Sequence, residues 1–537
     1  MNLKTHHSTL PFICLFLIIL STITLRMRLL EVPLERDEGE YGYIGQLILD
    51  GTPPYTEASN MKFPGIYFIY AGILLLFGQT HFAIHFCLLL VNLGTIILLF
   101  FFARAAFDDW TAAAAAGAFA LLSMSYHVQG FWANTEHFIL PFVIGANLLL
   151  LLALRKNRLQ YFFFSGILFA CAALVKQHGA FFGFFGFGAM LLSLSQDMHL
   201  DKKYYWKSIV VFIGGVFLPL LACFLYLMYV GVLAKFYLWT FVYAKEYSSL
   251  SSLADIQSYF IGGFQSLFYF ASPIWIIGGV GFITLFFYKY NKQSRLLTYG
   301  LFIASWIALS IGLYFRPHYF VFLLPVSALL FGIGIRSLFR LFSTSSIPLI
   351  RYGPPTIVVI VAFLGTLAAH WDVLVQFSIP QVTETVYQIY PFPYSVRIAE
   401  IIKEKTSKED RIAIIGNEPQ FLFYSQRKSA TTFMYTYPLG EDQPLAEQFR
   451  REMIHEVESY RPRLLVYTNL QPESYKKPVG WEKLDSWFFN FTKSHYTLTV
   501  RFEYLNIRDT LLVTDPILLA KKPTHPFWIS MYEQRKE

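Results

Sequence analysis

Near the start of the sequence, the apolar run PFICLFLIILSTITL (residues 11–25) is followed at residues 36–41 by the acidic stretch RDEGEY. No small-residue cleavage site follows the run, so we expect an uncleaved first transmembrane helix and not a signal peptide. Carboxylates beside hydrocarbon are costly and mark chemistry, ion passage or a structural ion pair. A carboxylate pair within one helical turn can provide a base and a group that orients it. The two stretches therefore predict a membrane protein with a polar site at the rim of its first span.

The composition supports a polytopic membrane protein. Hydrophobic residues make up 55% of the chain and charged residues 15%, with a mean hydropathy of +0.46, whereas soluble domains contain about 25% charged residues. The net charge of +8 comes from short Lys and Arg clusters between apolar runs, so we do not expect nucleic acid as a partner. The four cysteines lie in or beside apolar stretches without metal-ligand spacing, so neither a disulfide nor zinc is expected.

Apolar runs long enough to span a membrane recur along the first 371 residues. The predicted spans are residues 11–25, 82–102, 111–126, 138–154, 161–174, 180–194, 209–232, 271–288, 296–314, 319–335 and 356–369. Residues 65–77 are also apolar but short, and we place them on the membrane surface. With this choice the basic clusters between spans all fall on the side of the N-terminus, which is therefore predicted to be cytoplasmic.

The remaining polar segments fall on the opposite, exoplasmic side. The largest is the loop at residues 26–81, so residues 1–371 are predicted to form a transmembrane domain with a large first exoplasmic loop. Residues 372–537 have mixed charge and alternate helical patterns, as at 444–460, with strand patterns, as at 411–415 and 463–467. Strand patterns at 496–504 and 510–514 predict a hairpin. The predicted fold is a polytopic all-α membrane domain followed by a small, soluble, exoplasmic α/β domain.

Three elements of the first loop resemble a known superfamily. They are Asp37-Glu38, GTPPY at residues 51–55 and KFPGIY at 62–67, in this order. They resemble the polyprenyl-phosphate-sugar-dependent glycosyltransferases of the GT-C superfamily, in the branch with protein O-mannosyltransferases, the lipid A aminoarabinose transferase and bacterial lipopolysaccharide-core enzymes. The chain departs from the family where Phe63 replaces a Pro and where Met61 replaces a Glu of the aminoarabinose transferase.

The resemblance implies an integral membrane glycosyltransferase, similar to enzymes of the bacterial inner membrane. The implied donor is a sugar on a polyprenyl phosphate, and the acceptor is a hydroxyl of a lipid, glycan or protein, with inversion at the anomeric carbon. No cofactor is expected to be obligatory, although a divalent metal at the acidic pair stays open. A resemblance in the tail, around residues 411–419, extends to the exoplasmic domain of bacterial members.

The acidic stretch matches the catalytic position of the superfamily. Asp37 corresponds to the catalytic aspartate, which acts as general base towards the acceptor hydroxyl. Glu38 is assigned to the catalytic pair as an orienting or acceptor-binding group. Glu40 competes for this supporting role because it would lie one helical turn from Asp37. The alternative for Asp37 is a helix cap or an ion pair with Arg36.

Basic residues predicted at the exoplasmic rim are assigned to the departing phosphate. Arg316 is the first choice, because a guanidinium stays charged and matches phosphate geometry in a fork. Lys62, Lys176 and His318 are the other candidates, although such residues also anchor proteins at lipid headgroups. Further candidates for substrate binding are Glu136, His178 and Tyr319, with Trp132, Tyr243 and Tyr314 as rings for sugar stacking. For Glu136 the alternative is a polar helix entry.

Two other function classes remain. A transporter or lipid flippase would contain duplicated halves and charges in mid-span, and the sequence shows neither feature. An inactive member of the superfamily would use its tail domain to bind a partner in the cell envelope.

Overall fold

A computed structural model describes residues 9–197, 200–249, 252–387, 391–470, 478–504 and 510–535 of the chain. The first helices are α1 Leu10–Met27, α2 Arg36–Leu49, α3 Gly65–Phe77, α4 His81–Ala106, α5 Asp109–Leu122, α6 Thr135–Lys156, α7 Leu159–Val175 and α8 Gly179–Ser195. They are followed by α9 Lys202–Tyr229, α10 Leu233–Tyr237, α11 Ala244–Ser248, α12 Leu253–Phe287, α13 Lys292–Ser310, α14 Leu324–Phe342 and α15 Pro348–Ala368.

The described residues of the C-terminal part form helices and five strands. Its helices are α16 Ile379–Tyr387, α17 Ser395–Lys405, α18 Gln420–Ser425, α19 Tyr437–Gly440, α20 Ala446–Tyr460, α21 Val479–His495 and α22 Pro516–Leu519. Its strands are β1 Ile412–Ile415, β2 Leu464–Asn469, β3 Tyr496–Tyr504, β4 Thr510–Val513 and β5 Trp528–Gln534. The predicted fold class, a helical membrane part followed by a small α/β part, is confirmed.

Seven helices within the described residues are long and apolar enough to cross a membrane: α1, α4, α6, α9, α12, α15 and the segment Pro317–Phe342, in which a 3-10 helix leads into α14. The other four predicted spans are also helical, as α5, α7, α8 and α13, but these helices are shorter or less apolar. The span predicted at residues 271–288 belongs to a helix that begins at Leu253, because α12 continues through a bend at Ala271, just before Pro273. The chain is an integral membrane protein.

Contacts divide the chain into two compact units. The membrane unit comprises Met1–Leu30, His85–Tyr226 and Ser251–Phe377, and the second unit comprises Glu31–Ile84, Leu227–Leu250 and Ser378–Glu537. Within the membrane unit, α14 packs against α5, α12 and α15. These contacts are close: a Cβ at Gly281 of α12 would lie 1.9 Å from the carbonyl oxygen of Leu330, so the crossing requires glycine.

The second unit is built around a five-stranded sheet in the order β1-β2-β5-β3-β4. Strands β1 and β2 pair in parallel, which requires a crossover between them, and α20 lies in this connection. The predicted hairpin is present as the antiparallel pair β3–β4, whereas the central strand β5 was not predicted.

Two residues from the segment Leu227–Leu250 complete the core beside the sheet. Trp239 stacks on Phe449 of α20 at 4.8 Å between ring centroids, and Tyr243 is fully buried in the same cluster. The Tyr243 hydroxyl donates a hydrogen bond to Glu441 at 3.0 Å. The suggestion that Tyr243 stacks on a sugar is therefore wrong, because its ring faces are covered by protein.

Candidate active site

The acidic stretch of the second unit forms the first turn of α2. Glu35 is the N-cap, and its carboxylate accepts a hydrogen bond from the Glu38 backbone N–H at 3.1 Å. The Glu38 carboxylate accepts one from the Glu35 backbone N–H at 3.0 Å, which closes a capping box. The acidic residues also lie where the helix dipole favours negative charge. The capping box and the acidic first turn explain why the helix begins at Arg36. Asp37 therefore lies in the first turn of α2.

Asp37 shares a lysine with a second carboxylate. The Lys62 Nζ lies 3.5 Å from Asp37 Oδ1 and 3.4 Å from Glu40 Oε2. The Asp37 side chain is 24% exposed, whereas the Glu40 side chain is 0% exposed. Of the two acids that share Lys62, Asp37 is therefore the one accessible from outside. This accessible carboxylate can accept a proton.

Glu40 is held by two tyrosines. The Tyr67 hydroxyl donates to Glu40 Oε1 at 3.1 Å, and the Tyr435 hydroxyl donates to Glu40 Oε2 at 2.9 Å. Burial raises the pKa of Glu40, and the Lys62 ammonium and the two hydroxyls oppose this increase. The predicted supporting role of Glu38 stays a prediction, but in the structure Glu38 caps the helix and Glu40 shares the lysine with Asp37.

The C-terminal part of the second unit packs closely on α2. A Cβ on Gly39 would lie 2.4 Å from the Cβ of Gln420 in α18, so glycine permits this contact. Arg36 forms an ion pair with the buried Glu418 at 2.9 Å. The alternative that Asp37 forms an ion pair with Arg36 stays open, and the structure adds Glu418 as a carboxylate partner of Arg36. Burial raises the pKa of Glu418 and Arg36 opposes the increase.

In the membrane unit, several other predicted residues meet in one cluster. Lys176 Nζ lies 2.5 Å from Glu136 Oε1, and both side chains are at least 94% buried. The ammonium also lies 4.3 Å from the centre of the Tyr319 ring, a cation–π contact. The rings of His178 and His318 lie 5.7 and 4.7 Å from the Tyr319 ring. These five residues come from three separate stretches of the sequence.

The neighbouring Arg316 is exposed. Its guanidinium lies 5.4 Å from the Tyr314 ring, and the residue precedes the 3-10 helix Pro317–Leu323. His318 Nδ1 lies 2.8 Å from the Gln129 side-chain oxygen. Arg316 is thus an exposed guanidinium, whereas the Lys176 ammonium is buried in an ion pair with Glu136.

Within residues 9–535, with the gaps given above, no group of three or more His, Cys, Asp or Glu side chains is arranged to bind a metal. Sequence reasoning missed Tyr67 and Tyr435. Tyr67 ends the KFPGIY motif, which was a signal for it, but no local pattern marks Tyr435, which is 395 residues from Glu40 along the chain.

Comparisons with known proteins agree with the superfamily named above. The family model of dolichyl-phosphate-mannose-protein mannosyltransferases matches residues 61–222. No curated protein sequence matches the chain.

Solved structures share the fold. ArnT from Cupriavidus metallidurans bound to undecaprenyl phosphate superposes with a TM-score of 0.56 at 13% identity, over 96% of this chain and 100% of that chain. The oligosaccharyltransferase AglB from Archaeoglobus fulgidus, in complex with an inhibitory peptide and a dolichol-phosphate, gives a TM-score of 0.56 at 11% identity, over 95% of this chain and 74% of that chain. The predicted resemblance to the GT-C superfamily is confirmed, and the comparisons indicate a glycosyltransferase.

Proposed function

We propose that this protein transfers a sugar from a polyprenyl-phosphate-linked donor to an acceptor hydroxyl, with inversion, on the exoplasmic face of a bacterial inner membrane. The observation that carries the proposal is the accessible Asp37 carboxylate beside Lys62, in the loop element that resembles the superfamily's catalytic motif. The distribution of basic clusters in the sequence supports the exoplasmic placement. The fold shared with a protein solved with bound undecaprenyl phosphate supports the donor class.

The step is a single displacement. The Asp37 carboxylate takes the proton of the acceptor hydroxyl while the acceptor oxygen forms a bond to the anomeric carbon. The bond between that carbon and the phosphate oxygen breaks, and its electron pair leaves with the phosphate. Attack from the face opposite the leaving group inverts the anomeric centre. Positive charge at the departing phosphate stabilises the transition state.

Among the candidates for this positive charge, Arg316 and Lys62 are the strongest. Arg316 is exposed, and its guanidinium can donate two parallel hydrogen bonds to a phosphate. Lys62 lies beside the proposed base. Lys176 and His318 are assigned supporting roles around Tyr319, since Glu136 balances the charge of Lys176. The acceptor is a lipid, glycan or protein of the envelope.

The test compares Asp→Asn variants at the two ends of α2, in its first turn and at its C-cap. Full-length protein receives a panel of radiolabelled undecaprenyl-phosphate hexoses and pentoses, with an envelope extract as acceptor. Asp37→Asn should lower transfer about 100- to 10,000-fold, because the base is lost. Asp50→Asn, at the other end of α2 and 59% exposed, should leave transfer unchanged. Transfer at the wild-type rate by Asp37→Asn would refute the proposal.

A further inference from the structure

The C-terminal part of the second unit sends one side chain into the acidic cluster. Tyr435 lies between α18 and α19 and is 4% exposed. Its segment is fixed by Asn417, whose side-chain oxygen accepts hydrogen bonds from the backbone N–H groups of Thr436 at 3.0 Å and Tyr437 at 3.1 Å. The Thr436 hydroxyl donates to the Gly416 carbonyl at 3.1 Å. These hydrogen bonds fix the backbone that follows Tyr435.

This hydroxyl lies between the two carboxylates. Its oxygen is 2.9 Å from Glu40 Oε2 and 3.4 Å from Asp37 Oδ1. A tyrosine has one hydroxyl proton to donate, and the shorter distance assigns it to Glu40. Hydrogen bonds to a charged acceptor are stronger than those between neutral groups. Tyr435 thus stabilises the ionised form of Glu40 at the place where Lys62 is shared.

Glu40 itself cannot reach a substrate, because its side chain is 0% exposed. It has four close partners: Lys62, Tyr67, Tyr435 and, through its charge, Asp37. The ring of Tyr437 also lies beside that of Tyr435. The Lys62 ammonium pairs with ionised Glu40 as well as with Asp37. Glu40 therefore keeps Lys62 beside Asp37.

We infer that Tyr435 is a positioning residue of the active centre: its hydroxyl holds Glu40, and Glu40 holds Lys62 beside Asp37. The inference rests on the proposed function, since it assigns Tyr435 to the reaction in which Asp37 is the base. It gives the C-terminal part a role in transfer, through the position of Lys62. Both side chains are almost completely buried, so Tyr435 and Glu40 act through Lys62 and Asp37.

The pH dependence of the reaction separates this role from a merely structural one. Loss of the Tyr435 hydroxyl removes a hydrogen bond to the ionised Glu40, so the Glu40 carboxylate should bind its proton more tightly. A hydrogen bond to a charged group corresponds to a shift of about one unit. In Tyr435→Phe the acid limb of the kcat profile should therefore move to higher pH by about one unit, because Glu40 must be ionised to hold Lys62.

The experiment uses the full-length protein and the labelled undecaprenyl-phosphate sugars described above. Tyr435→Phe should lower kcat at pH 7 about tenfold with KM nearly unchanged, in addition to the shift of the acid limb. The matched control is Tyr467→Phe, which removes another tyrosine hydroxyl that donates to a carboxylate, Asp485 at 2.7 Å, in the same unit. The control should retain the wild-type kcat and pH profile.

Glu40→Gln completes a double-mutant cycle. Without a titrating Glu40, adding Tyr435→Phe should cause no further shift of the acid limb. A wild-type kcat and acid limb in Tyr435→Phe, with Asp37→Asn inactive, would overturn this inference alone. Full activity of Asp37→Asn would instead refute the proposed function. An equal shift in Tyr467→Phe would also overturn the inference, because the effect would not be specific to the cluster.

Discussion

Lys62 and Lys176 each form an ion pair with a buried glutamate, but their surroundings differ. Lys176 and Glu136 form a one-to-one pair at 2.5 Å, and both are almost completely buried. Lys62 is shared at 3.4–3.5 Å between the buried Glu40 and the accessible Asp37. A balanced buried pair mainly avoids the cost of an isolated charge. An accessible carboxylate can accept a proton from an acceptor hydroxyl, and this difference in exposure favours Asp37 as the proposed base.

The largest expected effect tests the buried pair directly. Lys176→Met leaves the Glu136 carboxylate buried without its partner and should lower the free energy of unfolding by about 3–5 kcal/mol. Lys62→Met should cost less, because Tyr67 and Tyr435 still donate to Glu40 and burial already favours its protonated form. Thermal unfolding of both variants in detergent measures the difference. Equal losses of unfolding free energy in the two variants would contradict the difference between the surroundings of Lys62 and those of Lys176.

A smaller effect should follow from a change beneath the accessible cluster. Gly39→Ala would place a Cβ 2.4 Å from the Gln420 Cβ, an overpacking that should cost about 1–3 kcal/mol and lower transfer by shifting α2. Gly72→Ala in α3 is the control, since no atom lies within 4 Å of the added Cβ. Alanine there should stabilise the helix by up to about 1 kcal/mol. Thermal unfolding and transfer assays compare the two variants. Equal unfolding midpoints and equal transfer rates would contradict the close packing of α18 on α2.

The smallest expected effect concerns pH. The pKa of the buried Glu418 is raised above its usual value of 4.5, as is that of Glu40. The folded state therefore binds these protons more tightly than the unfolded chain, so stability from these groups is greatest below pH 4.5 and is lost as the pH rises towards the raised folded pKa. Glu418→Gln should make the unfolding midpoint fall less steeply with rising pH. The exposed Glu400→Gln serves as the control for loss of charge, and an unchanged slope in Glu418→Gln would contradict the prediction.

Much of the fold could be predicted because its signals are local. Each of the eleven predicted spans is helical, since the length of an apolar run is read from neighbouring residues. Strands β1 to β4 were also predicted, from short apolar runs between turns. The strand Trp528–Gln534 was missed, and its sequence WISMYEQ ends in polar residues without a clear alternation of apolar and polar positions.

The site was predicted in part. Asp37 and Lys62 were named from motifs, and the structure places them 3.5 Å apart. Glu38 was named as the partner of Asp37 from its adjacency in sequence, but its position as the third residue of a helix lets it close the capping box with Glu35. One turn further along, Glu40 points to the same lysine as Asp37. Adjacent residues on a helix face different directions, whereas residues three apart share a face.

The sequence by itself determined the membrane-spanning character and the alternation of helix and strand after residue 371. These features depend on neighbouring residues through hydrophobic length and periodicity. The tertiary structure alone decided that Glu40 shares Lys62 with Asp37, that Trp239 completes the core beside the sheet, and that Tyr435 joins the acidic cluster. Such contacts join residues tens to hundreds of positions apart, and packing, which no local pattern encodes, brings them together.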